Sequence, residues 1–351
     1  MTTNDLEVAW ALLDRLGIQP EALLRTPRKN GRTPTFAEYT QRVAEAVSEG
    51  ARRTYLPYWR KLAQRWPDRG IDEPTSLELQ GLVEETRQNA IVRRNSRGGR
   101  SAAEHMVGAI RVLYQFAAND DYITVSANPG PHLRKPRRLP STRRALSARQ
   151  LAQINHAVTT TGNDRELDSL ILRLHLETAC RTGSALKLRP EDVETEHCMI
   201  RLFGKGGTVH WQPVSPTLIA MLIEHARRST DPAEQLLRYL DGRPISRRRY
   251  DHIWARVGRQ LPWVSTQQIS THWIRHTTLT WVERNFGYAT ARAFAAHAEP
   301  TGLDGATLTY VRASIEDVAA AVAALTGEPH PLVPADRGID GALAPIDGDS
   351  A

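Results

Sequence analysis

The stretch NPGPHLRKPRRLPSTRR at residues 128–144 limits what this chain can fold into more than any other segment. Its four prolines fix φ and remove backbone donors, so neither a helix nor an interior strand is expected to run through it. The chain divides there, and 351 residues exceed what one hydrophobic core usually organises. Arg134, Lys135, Arg137, Arg138, Arg143 and Arg144 make the same stretch strongly basic. An extended backbone would hold these side chains in a row suited to tracking phosphates, with a merely solvated tether as the plainer alternative. Residues 128–146 are therefore expected to be a basic, proline-rich linker.

Upstream, residues 35–127 show four helical patterns. Thr35 precedes FAEYTQRVAEAV, and ARRTYLPYWRKLAQRW continues with apolar and aromatic residues at helical spacing. Thr75 and Glu78 form a capping-box pattern. A fourth helix starts at Ser101 and puts Met106, Ile110, Leu113 and Phe116 or Ala117 on one face. Residues 1–34 add a small helical extension. In it Leu6, Trp10, Leu13 and Gly17 recur at helical spacing, and PEALLR reads as a second short helix. Its apolar face must cover either its own chain or a neighbouring subunit.

Downstream, Ser147 opens SARQ, another capping box, and begins a domain over 147–326. RELDSLILRLHLETACRTGSALKL is apolar enough to be buried, and CMIRLFGKGGTVHWQPV alternates about Gly206-Gly207 as a β-hairpin does. Ser215 and Pro216 mark a helix start. SRRRYDHIWARVGRQL, STHWIRHTTLTWVERNF and an Ala/Val-rich closing segment, GATLTYVRASIEDVAAAVAALTG, read as further helices. The expected class is mainly α with a small β-hairpin or sheet in the C-terminal domain. Residues 327–351, rich in Pro, Gly and Asp, are expected to be a disordered acidic tail.

Charge narrows the partner. The net charge is +7, but residues 316–351 hold seven acidic residues and one arginine, so the rest of the chain carries a surplus of 13 positive charges. Such a surplus, gathered in patches, points to a polyanion, with nucleic acid the leading candidate. No apolar run approaches the roughly 18 residues a membrane helix needs. MTTNDLEVAW lacks the basic-then-apolar order of a secretory leader. Cys180 and Cys198 are too few for a disulfide framework or a zinc site. A cytoplasmic protein with reduced thiols is expected.

STHWIRHTT at residues 270–278 carries the chemistry. On a helix His272, Arg275 and His276 fall at i, i+3 and i+4, on one face. A metal reading would pair His272 with His276, but Trp273-Ile274 supply no carboxylate base and Arg275 repels a cation. A polar helix start without chemistry is a second reading. The third is an anion clamp. A guanidinium binds phosphate bidentately, an imidazole can share the oxyanion or move a proton, and Ser270 marks a helix N-terminus that favours negative charge.

STHWIRHTT resembles the His-x-x-Arg-His box of tyrosine recombinases, the phage integrase family, and the resemblance extends over about residues 35–325. ETACRTGSALKLRPEDV is similar to the family's first arginine box and makes Arg181 the second phosphate clamp. GKGGTVHWQPV resembles the hairpin that presents the catalytic lysine, here Lys205. FAAHAEP matches the position of a further histidine, His297, and ATLTYVRAS presents Tyr310 at the nucleophile's place. The resemblance implies a two-domain architecture, a helical core-binding (SAM-like) domain followed by a mixed α/β catalytic domain. It also implies cleavage and rejoining of double-stranded DNA through a 3′-phosphotyrosyl intermediate. No metal, ATP or other cofactor is required.

In that scheme Arg181 and Arg275 neutralise the nonbridging oxygens and Lys205 protonates the leaving 5′-oxygen. His272 serves acid/base chemistry, His297 hydrogen-bonds the phosphate, and His276 braces the helix. Family members work as tetramers on specific DNA sites, sometimes with DNA-bending or directionality factors. Three positions depart from the pattern. Ser184 replaces an acidic residue, Ala296 replaces a glycine, and the gap from His297 to Tyr310 is a few residues longer than usual. The alternatives are a non-catalytic DNA-binding protein on the same fold and a type IB topoisomerase-like activity.

Overall fold

The computed structural model describes residues 3–17, 32–91, 97–137, 139, 143–204, 207–229, 231–296 and 313–334. Arg138, Lys205, His297, Tyr310 and the PEALLR segment lie outside the described residues. The chain forms two compact units, residues 1–140 and 141–351. Among the described residues no helix is long and apolar enough to cross a membrane.

The first unit contains α1 (Thr3–Arg15), α2 (Phe36–Ala46), α3 (Glu49–Arg65), α4 (Ser76–Gln88) and α5 (Arg100–Asn119). Capping boxes start α2 and α4: Thr35 pairs reciprocally with Glu38, and Thr75 with Glu78. Phe36, Tyr39, Trp59, Leu79, Met106, Ile110 and Leu113 share one core. The indole N–H of Trp59 donates to the Ala109 carbonyl at 2.9 Å, so the ring buries no unsatisfied donor. Of the two candidates for the last core position of α5, Ala117 is buried and Phe116 lies partly outside. Trp10 on α1 is 59% exposed, and Val8, Leu12 and Leu16 are exposed with it.

Two boundaries differ from the sequence reading. Helix α5 begins at Arg100 instead of Ser101, because Gly99 takes a left-handed conformation (φ 73°) as its cap. A β-carbon at Gly99 would stand 2.0 Å from the Arg87 carbonyl oxygen, so only glycine fits. The linker, too, is not free throughout. Gly130–His132 forms a single 3₁₀ turn, following another at Val125–Ala127 just upstream, and Leu133 is buried in the first core. Asn128 Oδ1 accepts from the Gly130 N–H at 2.8 Å, and the Arg111 guanidinium donates to the carbonyls of Gly130 and Leu133. Prolines exclude long regular elements but not short turns held by a side chain from elsewhere. Arg134, Lys135 and Arg137 are exposed beyond that point, as are Arg143 and Arg144 at the start of the second unit.

The second unit contains α6 (Ala148–Thr160), α7 (Arg165–Thr178), the single turn α8 (Thr182–Ala185) and α9 (Pro216–Ala226). It continues with α10 (Arg247–Gln260), α11 (Pro262–Gln267), α12 (Thr271–Phe294) and α13 (Ile315–Thr326). An antiparallel sheet of β1 (Val193–Glu194), β2 (Met199–Phe203) and β3 (Val209–Pro213) lies among them in sequence order. Its register pairs Leu202 with His210 and Phe203 with Val209. Helix α7 runs through the core. Its fully buried Asp168 accepts from Arg249 Nε and Arg256 Nη2, each at 2.7 Å, which ties α10 to α7. Helix α12 bends at Gly287, where φ is 82°.

The start of the predicted tail is built into this unit. Glu328 pairs with Arg173 on α7 and accepts from the Thr217 N–H at 3.0 Å, capping α9. His330 is 4% exposed and bonds to the Cys198 carbonyl at 3.3 Å. The expectation of disorder from residue 327 onward therefore fails for residues 328–334.

Candidate phosphate-binding site

The site forms where α7 ends. Ala179, its C-cap, is left-handed (φ 48°), which turns the chain sharply and leads through buried Cys180 to Arg181. Arg181 is extended (φ −78°, ψ 148°) and precedes α8, so its exposed side chain leaves the end of a rigid helix. The hydroxyl of Ser184 donates to the Phe203 carbonyl at 2.7 Å and pins this turn to the end of β2. Where the family pattern has a carboxylate, this chain uses the position as a backbone tether.

Arg275 comes from the first turns of α12. It is 7% exposed, and its guanidinium donates to the carbonyls of Ala179 and of Ala295, the latter at 3.0 Å. The left-handed cap thus presents one carbonyl that fixes the second arginine. Thr278 Oγ1 also donates to the Leu176 carbonyl at 2.8 Å, so α12 is held to α7 at two levels. At the helix start the Trp254 indole donates to Thr271 Oγ1 at 2.9 Å. Ser270 is the N-cap but makes no side-chain capping bond.

These groups lie close enough for their charges to act on one another. Burial, followed by the neighbouring charge of Arg181, pulls the Arg275 guanidinium down to about 10. Partial burial, then the charges of Arg143, Arg275, His276 and Arg181, lower the pKa of the exposed His272 imidazole below its usual value. Burial and these neighbouring groups disfavour the protonated form of His272, and an arriving anion would offset them. Among the described residues the Arg181 side chain takes no hydrogen bond or ion pair. His276 is half-buried, with Thr280 Oγ1 3.2 Å from its Nδ1.

The structure therefore brings Arg181, Arg275 and His272 together, with Arg143 at the edge and His276 beside them. Lys205, His297 and Tyr310 are outside the described residues; the hairpin on which Lys205 falls is closed by the Gly204 N–H donating to the Thr208 carbonyl at 2.6 Å. Two neighbours escaped the sequence reading. Arg247 Nη2 lies 3.8 Å from where a Gly183 side chain would begin, which places an exposed cation against the arginine turn. His210 lies inward on β3, and its Nδ1 is buried without a hydrogen-bond partner among the described residues. Period-two alternation in the hairpin was the available signal for His210. Nothing local marked Arg247.

Residues 144–301 match a family model described as the phage integrase family. No curated protein matches the sequence. Among solved structures, the chain is similar to a lambda integrase dimer bound to a COC′ core site. The identity is 13%, the TM-score 0.58, and the match covers 77% of this chain and 100% of the other. A lambda integrase tetramer bound to a Holliday junction matches at 13% identity and TM-score 0.58, over 85% and 90%. The Tn1549 transposon integrase in complex with circular intermediate DNA matches at 14% identity and TM-score 0.55, over 80% and 100%. At these identities the likeness establishes the fold, a mainly helical arrangement with a small antiparallel sheet.

Proposed function

Residues 144–301 form a phage integrase family domain on a tyrosine-recombinase fold, and from that premise we propose that this chain is a site-specific DNA recombinase. It cleaves and rejoins double-stranded DNA through a 3′-phosphotyrosyl link. The observation that carries the reading is the meeting of Arg181 and Arg275 at the end of α7, one guanidinium buried and fixed, the other exposed. Two adjacent cations, one of them desolvated, form an unfavourable arrangement that a phosphodiester relieves.

Each step follows from group chemistry. Arg181 and Arg275 take the nonbridging oxygens and stabilise the charge that grows as phosphorus becomes five-coordinate. The Tyr310 oxygen attacks phosphorus while His272, whose protonated form its cationic surroundings disfavour, accepts the phenolic proton. The bond to the 5′-oxygen breaks, and Lys205 gives that oxygen a proton. The phosphotyrosyl ester conserves the bond energy, so a 5′-hydroxyl from another strand reverses the step without ATP. His297 adds a hydrogen bond to the phosphate, and His276 supports the helix. Arg134, Lys135, Arg137, Arg138, Arg143 and Arg144 contact the flanking backbone. Assembly as a tetramer on paired sites completes strand exchange.

The test uses a random-sequence library of nicked duplexes, in which the cleaved fragment diffuses away and traps the covalent complex. Recovery of protein–DNA adducts enriched in one sequence supports recombination at a specific site. Tight, sequence-selective binding without any adduct would instead indicate a DNA-binding protein that keeps the fold without the reaction.

A further inference from the structure

The hairpin contributes more to this site than Lys205. We propose that His210 is a further phosphate-binding residue, its imidazole donating a hydrogen bond to the phosphodiester held by Arg181 and Arg275. The proposal rests on the recombinase reading for its substrate, and on the hairpin's geometry for its location.

Strand register fixes the ring's direction. Val209 and Trp211 are exposed, whereas His210 is half-buried and Gln212 buried, so His210 lies on the inner face. Its cross-strand partner is Leu202, which is fully buried. One position away, the Phe203↔Val209 pair is tied to the arginine turn, because Phe203 supplies the carbonyl that Ser184 holds. The ring is thus beside the loop that carries Arg181. It is also near the second arginine: burial first, and then the charge of Arg275, lower the His210 pKa.

The decisive feature is an unsatisfied atom. His210 Nδ1 is buried and, among the described residues, has no hydrogen-bond partner. Other inward histidines of this unit are matched to protein groups. His175 meets the Cys180 carbonyl and the Tyr250 hydroxyl, His225 accepts from the Arg238 N–H, and His330 meets the Cys198 carbonyl. A buried polar nitrogen without a partner is unfavourable, and a site that expects an oxyanion is where such an atom finds one. Neutral imidazole also suits the position. With the proton on Nδ1 it donates a hydrogen bond without adding a third positive charge to the two guanidiniums, and no proton changes hands.

Single-turnover cleavage of a nicked duplex separates this role from packing. His210→Ala is expected to slow adduct formation about a hundredfold at saturating DNA, the scale of one lost oxyanion donor, and to weaken DNA binding in the same direction as it weakens phosphate binding. His210→Asn, whose amide N–H stands near the place of Nδ1, is expected to recover part of the rate. Cleavage by His210→Ala at the wild-type rate overturns the proposal. So does a variant slowed only because it melts at lower temperature, with His210→Asn equally slow. Affinity for inorganic phosphate provides the second readout. If wild-type protein forms no adduct with any duplex, the recombinase reading falls, and phosphate then decides the question for His210 alone. Weaker phosphate binding by His210→Ala supports the proposal, and equal binding overturns it.

Discussion

The Arg275 guanidinium donates to the carbonyl of Ala179, the left-handed residue that ends α7 two positions before Arg181. One backbone turn therefore sets both arginines: it holds the first through its carbonyl and launches the second along the chain. Distortion of that turn moves both charges together.

The two arginines should separate stability from activity. Arg275→Ala leaves the buried carbonyls of Ala179 and Ala295 without their donor, at about 1–3 kcal/mol for each unsatisfied group, and it also abolishes cleavage. Arg181→Ala removes an exposed group, so the urea midpoint should hold while cleavage falls by about a hundredfold or more. Equal losses of stability in the two variants would contradict the arrangement. Arg275→Lys should resemble Arg275→Ala in activity, since a single ammonium cannot reach both carbonyls in a planar fork.

His272 reports on occupancy of the site. Its pKa lies below the ordinary value because of burial and the cations Arg143, Arg275 and Arg181, with His276 adding to them. Removing a neighbouring cation, as in Arg181→Ala, should raise it, and binding DNA should raise it further by bringing a negative charge. Proton NMR of the imidazole across pH 5–8 (roughly the window in which histidine titrates) measures both shifts. A value that falls on DNA binding would place the phosphate elsewhere.

Two buried histidines make the second unit acid-sensitive. Burial pulls His175 and His225 down to about 4. A depressed histidine pKa means that the folded state binds fewer protons than the unfolded chain. Stability is then full above the unfolded value of about 6.5 and declines as pH falls towards about 4. The loss is on the order of 3 kcal/mol per histidine when complete. Urea unfolding at pH 7.5 and pH 4.5 tests this, and equal stability at the two pH values would exclude it.

Gly99 is the most sensitive backbone position of the first unit. Its left-handed φ and the Arg87 carbonyl leave no room for a β-carbon. Gly99→Ala should destabilise the unit by about 1–3 kcal/mol through strain at the start of α5. Thermal unfolding should show this without loss of chemistry at Arg181 and Arg275, which belong to the other unit. A midpoint unchanged from wild type would mean that the turn relaxes freely.

Much of the fold was legible because its determinants are local. The capping boxes at Thr35, Thr75 and Ser147 stand at helix starts, and alternation in CMIRLF and TVHWQP marks two paired strands. Helical spacing also placed His272, Arg275 and His276 close together, but it could not separate their environments. Arg275 is held by the carbonyls of Ala179, 96 positions upstream, and of Ala295, 20 positions downstream, while His272 remains exposed. The same limit hid the ordering of residues 328–334, whose partners Arg173 and Cys198 lie more than a hundred residues upstream. Composition describes a segment's own preference, not what another segment offers it. His210 needed the strand register, and Arg247 needed tertiary structure outright.

The most direct measurement is the identity of the residue that carries DNA after cleavage. Protein incubated with its trapped nicked duplex is digested with protease and nuclease, and the adduct is located by mass spectrometry. The account predicts a nucleotide 3′-phosphate on Tyr310, absent in Tyr310→Phe and strongly reduced in Arg181→Ala. An adduct on another residue, or its persistence in Tyr310→Phe, would contradict it.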